Sequence, residues 1–145
     1  MAQKLKEIMT QNIATVSPQQ SIQEATQLMS QHNVGSIPVV ENGNCVGIVT
    51  DRDIALRAVS QGQNPSSTTV QSVMTSGVVT GSPEMDVHEA ANLMAERQVR
   101  RLPVVENGSI TGMVALGDLA TQNIYQNEAS QALTEISQPA SPVSI

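Results

Sequence analysis

The hexapeptide Pro38-Val39-Val40-Glu41-Asn42-Gly43 returns unchanged as Pro103-Val104-Val105-Glu106-Asn107-Gly108, 65 residues further on. The same offset carries Met9-Thr10 onto Met74-Thr75 and Ser17-Pro18 onto Ser82-Pro83. Laid side by side without a gap, residues 8–55 and 73–120 share 20 identities in 48 positions, so the chain is a tandem of two copies of one small fold. Other pairs swap one apolar side chain for another (Ile22 and Val87, Ile37 and Leu102, Ile48 and Met113, Ile54 and Leu119), which keeps burial while altering shape.

Working outward from the hexapeptide, Ile37-Pro38-Val39-Val40 and Val46-Gly47-Ile48-Val49 are β-branched runs on either side of an Asn-Gly turn, which predicts a hairpin in each copy. Upstream, Ser21-Ile22-Gln23-Glu24 and Asp86-Val87-His88-Glu89 read as capping boxes. Apolar residues at helical spacing follow: Ile22, Ala25, Leu28 and Met29 in one copy, Val87, Ala90, Ala91, Leu93 and Met94 in the other. Each predicts an amphipathic helix of about three turns. Downstream, residues 51–58 space Ile54, Ala55 and Ala58 as a second helix face, and a short strand around 13–16 opens the unit. The expected fold class is therefore α+β, with two units of strand, helix, strand, strand, helix. A unit of about 50 residues buries its sheet poorly alone, so the two are expected to pack sheet to sheet about a pseudo-two-fold axis, with clefts in pairs.

The expected domains are residues 5–64 and 70–127, joined by the linker Asn64-Pro65-Ser66-Ser67-Thr68-Thr69. Residues 128–145 are expected to extend a helix to about Ile136 and then to form a disordered tail through Ser137-Gln138-Pro139-Ala140-Ser141-Pro142.

The chain has 145 residues, 39% hydrophobic and 14% charged, enough apolar material for a core. That core must come from Val, Ile, Leu, Ala and seven Met, because there is no Phe or Trp and only Tyr125. The same shortage excludes an aromatic platform for stacking bases. A formal charge of −6 speaks against a nucleic-acid partner, which needs a basic face to displace counterions. The lone Cys45 and a start without a secretion signal's apolar segment give the expectation of a cytoplasmic protein. No run approaches the ~20 apolar residues of a membrane span, so no membrane association is expected.

The chain resembles a tandem pair of CBS domains, the arrangement called a Bateman module. The resemblance rests on Gly35-Ser36-Ile37-Pro38-Val39-Val40 with Gly47-Ile48-Val49-Thr50-Asp51-Arg52-Asp53, and on Val99-Arg100-Arg101-Leu102-Pro103-Val104-Val105 with Gly112-Met113-Val114-Ala115-Leu116-Gly117-Asp118. It spans about residues 5–127. It implies a stand-alone CBS-domain protein: a regulatory sensor of an adenosine-containing ligand such as AMP, ADP, ATP, NAD or S-adenosylmethionine, paired as a homodimer and acting on an unidentified protein.

The resemblance also implies the contacts. The equivalents of Thr50 and Asp53 hold the ribose and often the first phosphate. Physical chemistry suits that role, since a carboxylate accepts from both hydroxyls of a diol and free N–H groups at a helix start favour an anion. The alternative is a plain helix cap, because Thr-x-x-Asp is also a capping pair. The second copy keeps Asp118 but has Ala115 in place of the hydroxyl, so its cleft should bind phosphate less well or stay empty. Arg100 and Arg101 stand where the first copy has Gly35 and Ser36. The family reading sends one of them to a ligand phosphate, through the forked donors of guanidinium. The other reading is a solvated pair balancing Glu96 or Glu106. Base contacts are placed by resemblance at Ile13, Ala14, Pro38, Val78 and Pro103.

Enzyme chemistry finds no support in the residues. His32 and His88 are not repeat equivalents, and both are expected on polar helix faces. Cys45 lies where the other copy has Ile110, which favours packing over nucleophilic work. The methionines follow helix faces, and no ligand cluster suggests a transition metal. The rival to a sensor is a ligand-free interaction module whose clefts are vestigial.

Overall fold

The computed structural model describes residues 3–120 and residue 136. The expected helical extension and tail at 128–145 lie almost wholly outside the described residues. The chain divides into two compact units. One holds Asn12–Val78 and Asn107–Ile110; the other holds, among the described residues, 3–11, Val79–Glu106 and 111–120. Repeat in sequence and unit in space thus differ in their leading segments, and in the hairpin turn Asn107–Ile110 of the second copy, which groups with the first unit: residues 3–11, which lead the first copy, belong with the second. Residues 70–76, which lead the second copy, belong with the first.

In the first unit α2 (Ile22–His32) starts at Ser21, whose hydroxyl accepts from Glu24 N at 3.1 Å. It ends at Asn33, in the left-handed region at φ 54°. Ile22, Ala25 and Met29 are buried, with Leu28 packed beside them, as the helical spacing predicts. The hairpin consists of β1 (Ser36–Glu41) and β2 (Asn44–Thr50), antiparallel, with Asn42 and Gly43 both at positive φ. That combination is why Asn-Gly is chosen for a tight turn. Pro38, lacking an N–H, sits on the edge strand, and its carbonyl accepts from Val16 N at 3.1 Å. Next come α3 (Asp51–Arg57), a 3-10 turn at Val59–Gln61, the short helix α4 (Val70–Val73) and β3 (Thr75–Ser76), which pairs with β2. Gly47 permits that pairing, since a Cβ there would stand 2.6 Å from Thr75 O.

One local expectation changes. In place of a strand over 13–16 there is a single parallel bridge between Val16 and Val39. The polar linker packs onto α2: Thr68 O and Pro65 O accept from Ile22 N and Gln23 N, two of the orphan donors at the start of that helix.

The second unit repeats the plan. Its leading helix α1 is Leu5–Ile8, followed by α5 (Val87–Arg97), β4 (Arg101–Glu106), β5 (Ser109–Ala115) and α6 (Leu116–Ala120). Asp86 caps α5 through His88 N at 2.7 Å, one residue earlier than a capping box would. Thr10 bridges to Met113, as β3 pairs to β2 in the other unit. Leu5 is fully buried, and a Cβ on Gly81 would meet Leu5 Cδ1 at 2.8 Å. The repeat equivalents in the first unit are Val70 and Val16, both in its core. A large and a small residue in one unit thus replace two medium ones in the other, which conserves volume. No helix among the described residues is long and apolar enough to cross a membrane.

Candidate functional site

The corner where β2 meets α3 carries Thr50 and Asp53. A backbone leaving a strand into a helix exposes its first N–H groups, and here each has a protein partner. Asp51 N donates to Gly35 O at 2.9 Å, Arg52 N to Asp51 Oδ1 at 2.8 Å and Asp53 N to Thr50 Oγ1 at 3.0 Å. Thr50 N returns a bond to Asp53 Oδ2 at 3.0 Å, completing a capping box. The free N–H groups expected for a phosphate are therefore already satisfied within the chain.

Asp53 Oδ1 is held differently. Its neighbours are Thr75 Oγ1 at 3.5 Å and Arg57 Nε at 4.0 Å, both long for strong hydrogen bonds, so this oxygen has capacity for a better donor. The Asp53 side chain is 12% exposed. Arg57 and Thr75 complete this corner, yet neither was among the residues singled out from the sequence. Two signals were available: Arg57 is one helical turn beyond Asp53, and Thr75 belongs to the repeated Met-Thr pair. What hid Thr75 is the exchange of leading segments, which sets a residue of the second copy beside the acid of the first.

Thr50, Asp53, Ile13, Ala14, Pro38 and Val78 all fall in the first unit. Pro38 is buried, while Ile13, Ala14 and Val78 are half-buried. Asp118, Arg100, Arg101 and Pro103 fall in the second. There Asp118 Oδ2 accepts from Ala115 N at 2.8 Å, the half of the capping box that needs no hydroxyl. Arg100 and Arg101 are exposed, and neither is in an ion pair among the described residues, so the balancing partners Glu96 and Glu106 do not engage them.

His32 is exposed, but His88, in the capped first turn of α5, is half-buried. Cys45 is half-buried; burial pushes its thiol up from the usual range, which lowers the thiolate fraction. No group of three or more His, Cys, Asp or Glu suited to a metal ion occurs among the described residues.

The sequence profile of the CBS domain matches residues 5–60 and again 70–122. The chain belongs to the CBS-domain family. The CBS domain-containing protein YhcV of Bacillus subtilis is 52% identical over 133 residues, covering 92% of this chain and 94% of that one. Among solved structures, the CBS domain protein TA0289 of Thermoplasma acidophilum superposes with a TM-score of 0.81 at 25% identity, over 93% of this chain and 76% of that one. The CBS domain pair of MJ0100, solved in complex with 5′-methylthioadenosine and S-adenosyl-L-methionine, gives a TM-score of 0.76 at 27% identity, over 88% of this chain and 99% of that one. The α+β fold with two CBS units is that of CBS pair structures.

Proposed function

We propose that this CBS-domain protein is a cytoplasmic regulatory sensor, not an enzyme, that takes an adenine nucleotide or related adenosyl compound at the Thr50–Asp53 corner. The observation that carries the reading is Asp53 Oδ1, a shielded carboxylate oxygen with only long-range donors, suited to a ribose diol. Thr50 stiffens the acid through the capping box. Ile13, Ala14, Pro38 and Val78 offer apolar and backbone contact to a base. Because the first N–H groups of α3 are taken and Asp51 adds negative charge, this corner is better suited to the nucleoside than to a polyphosphate. The MJ0100 pair with its methylthioadenosine, a ligand without phosphate, supports that emphasis. Asp118 and Pro103, with Arg100 or Arg101 reaching a phosphate, form the second and weaker site. Leu56 and Val59, exposed at 52% and 62%, give the first unit apolar surface for a second copy, and the working form is a homodimer that signals to a regulated protein.

The second reading, a ligand-free interaction module, is favoured by one observation: the capping box already gives the Thr50 hydroxyl oxygen a structural role as acceptor from Asp53 N. The two separate on one experiment. Small molecules released on denaturing the purified protein are identified by mass spectrometry, with a thermal-shift screen of AMP, ADP, ATP, NAD and S-adenosylmethionine. A released or stabilising adenosyl compound supports the sensor; no stabilisation at millimolar concentration supports the module.

A further inference from the structure

The guanidinium of Arg57 does more than approach Asp53. Its Nη1 donates to Val73 O at 3.0 Å and to Met74 O at 3.2 Å, the carbonyls of the last residue of α4 and of its C-cap, while its Nε stands 4.0 Å from Asp53 Oδ1. Guanidinium carries five donors in a fixed fork, so one side chain can serve a carboxylate and two carbonyls at once. Thr75 Oγ1, two residues beyond Val73, points at the same carboxylate oxygen. Beyond β3 the chain passes through Gly77 and Val78 and leaves this unit. The matching position of the second copy is Gln122, so the cation exists in one copy only.

We propose that Arg57 is a clasp through which the Asp53 carboxylate holds residues 73–76, so that a ligand hydroxyl bonding to Asp53 Oδ1 releases that segment. The contacts at 3.5 and 4.0 Å are the ones a hydroxyl donor at ordinary hydrogen-bond distance, about 2.7 Å, displaces. Coupling of this kind is reciprocal: whatever loosens the clasp favours the ligand by the same factor. Arg57 is thus a positioning residue, and the exit of the chain from this unit is where occupancy is read. The ligand half rests on the adenosyl reading above; the clasp in the unliganded protein does not.

The test is amide hydrogen exchange of Met74, Thr75 and Ser76 in the full chain, followed by NMR. R57Q and D53N should each accelerate exchange about fivefold, the double variant no further, and R57K should restore only part of the protection. R52Q, on the same helix, should leave the three amides unchanged, and T50A measures how much of the D53N effect comes from the lost cap. Saturating adenosine should accelerate the same amides in the wild type and bind R57Q about fivefold more tightly. If R57Q leaves the amides as they are, or D53N changes them no more than T50A, the clasp is overturned. Adenosine binding that leaves them unchanged overturns the coupling alone. If adenosine does not bind the wild type, the ligand half falls with the adenosyl reading, and the exchange of the variants still decides the clasp.

Discussion

At the caps of the two acidic corners Thr50 brings a hydroxyl where Ala115 brings none, while Asp53 and Asp118 make the same bond back to the preceding backbone. Removing a cap hydroxyl costs about 1 kcal/mol, so Thr50→Ala should lower stability by that amount. Ala115→Thr should raise it by about 0.5–1 kcal/mol, because the receiving geometry already exists. Urea unfolding checks both: the midpoints should move in opposite directions with the slope unchanged. The Thr-x-x-Asp pattern was legible because capping is local in sequence. That Gly35 O takes the Asp51 amide was not, because its partner lies on the far side of the hairpin.

At the scale of elements, the leading segments decide the packing, and each is held by different chemistry. In the second unit Lys4 and Lys6 both bond to Glu84, at 2.6 and 2.8 Å, across exposed surface. Their hydrogen bonds and charges pull the Glu84 carboxyl down to about 2. A depressed carboxylate contributes stability above its unfolded value of 4.5 and loses it as pH falls through its folded value, so the window is pH 4.5 to 2. Comparing wild type with Glu84→Gln, the wild-type advantage in melting temperature should be small at pH 7, smaller still at pH 3 and screened by molar salt. Packing beneath the pair is the stronger constraint. Gly81→Val forces a side chain onto Leu5 and Leu102, at a cost of about 1–3 kcal/mol, and Leu5→Val in the same chain should recover part of it by recreating the Val16 and Val70 pairing. Additive losses in a denaturation cycle would contradict that account. Helices and hairpins could be read from the sequence because caps, turns and apolar periods are written within a few residues. The exchange of leading segments is a long-range choice; its one written trace is the reciprocal size change at 5, 16, 70 and 81. The strand expected at 13–16 shrank to one bridge for a related reason: Val16 alone exchanges bonds with β1, giving its N–H to Pro38 O and receiving Val40 N.

For the molecule as a whole, duplication leaves two versions of one acidic corner. The first is completed by Thr50, Arg57 and Thr75, and the second lacks the matching hydroxyl. A ligand bound only by the folded state adds about 2.7 kcal/mol at a hundredfold excess over its Kd, which raises the melting temperature by several degrees. Light scattering should give about twice the chain mass at high micromolar concentration, and a strict monomer would contradict the homodimer. The most direct measurement is calorimetric titration of 5′-methylthioadenosine and AMP into the wild type, Asp53→Asn and Asp118→Asn. A carboxylate that accepts two ribose hydroxyls should lose about 1.5–3 kcal/mol when its charge is removed, so Asp53→Asn should bind about ten- to a hundredfold more weakly, and Asp118→Asn should change affinity less. A folded Asp53→Asn variant with undiminished affinity would contradict the assignment of the ligand to this corner.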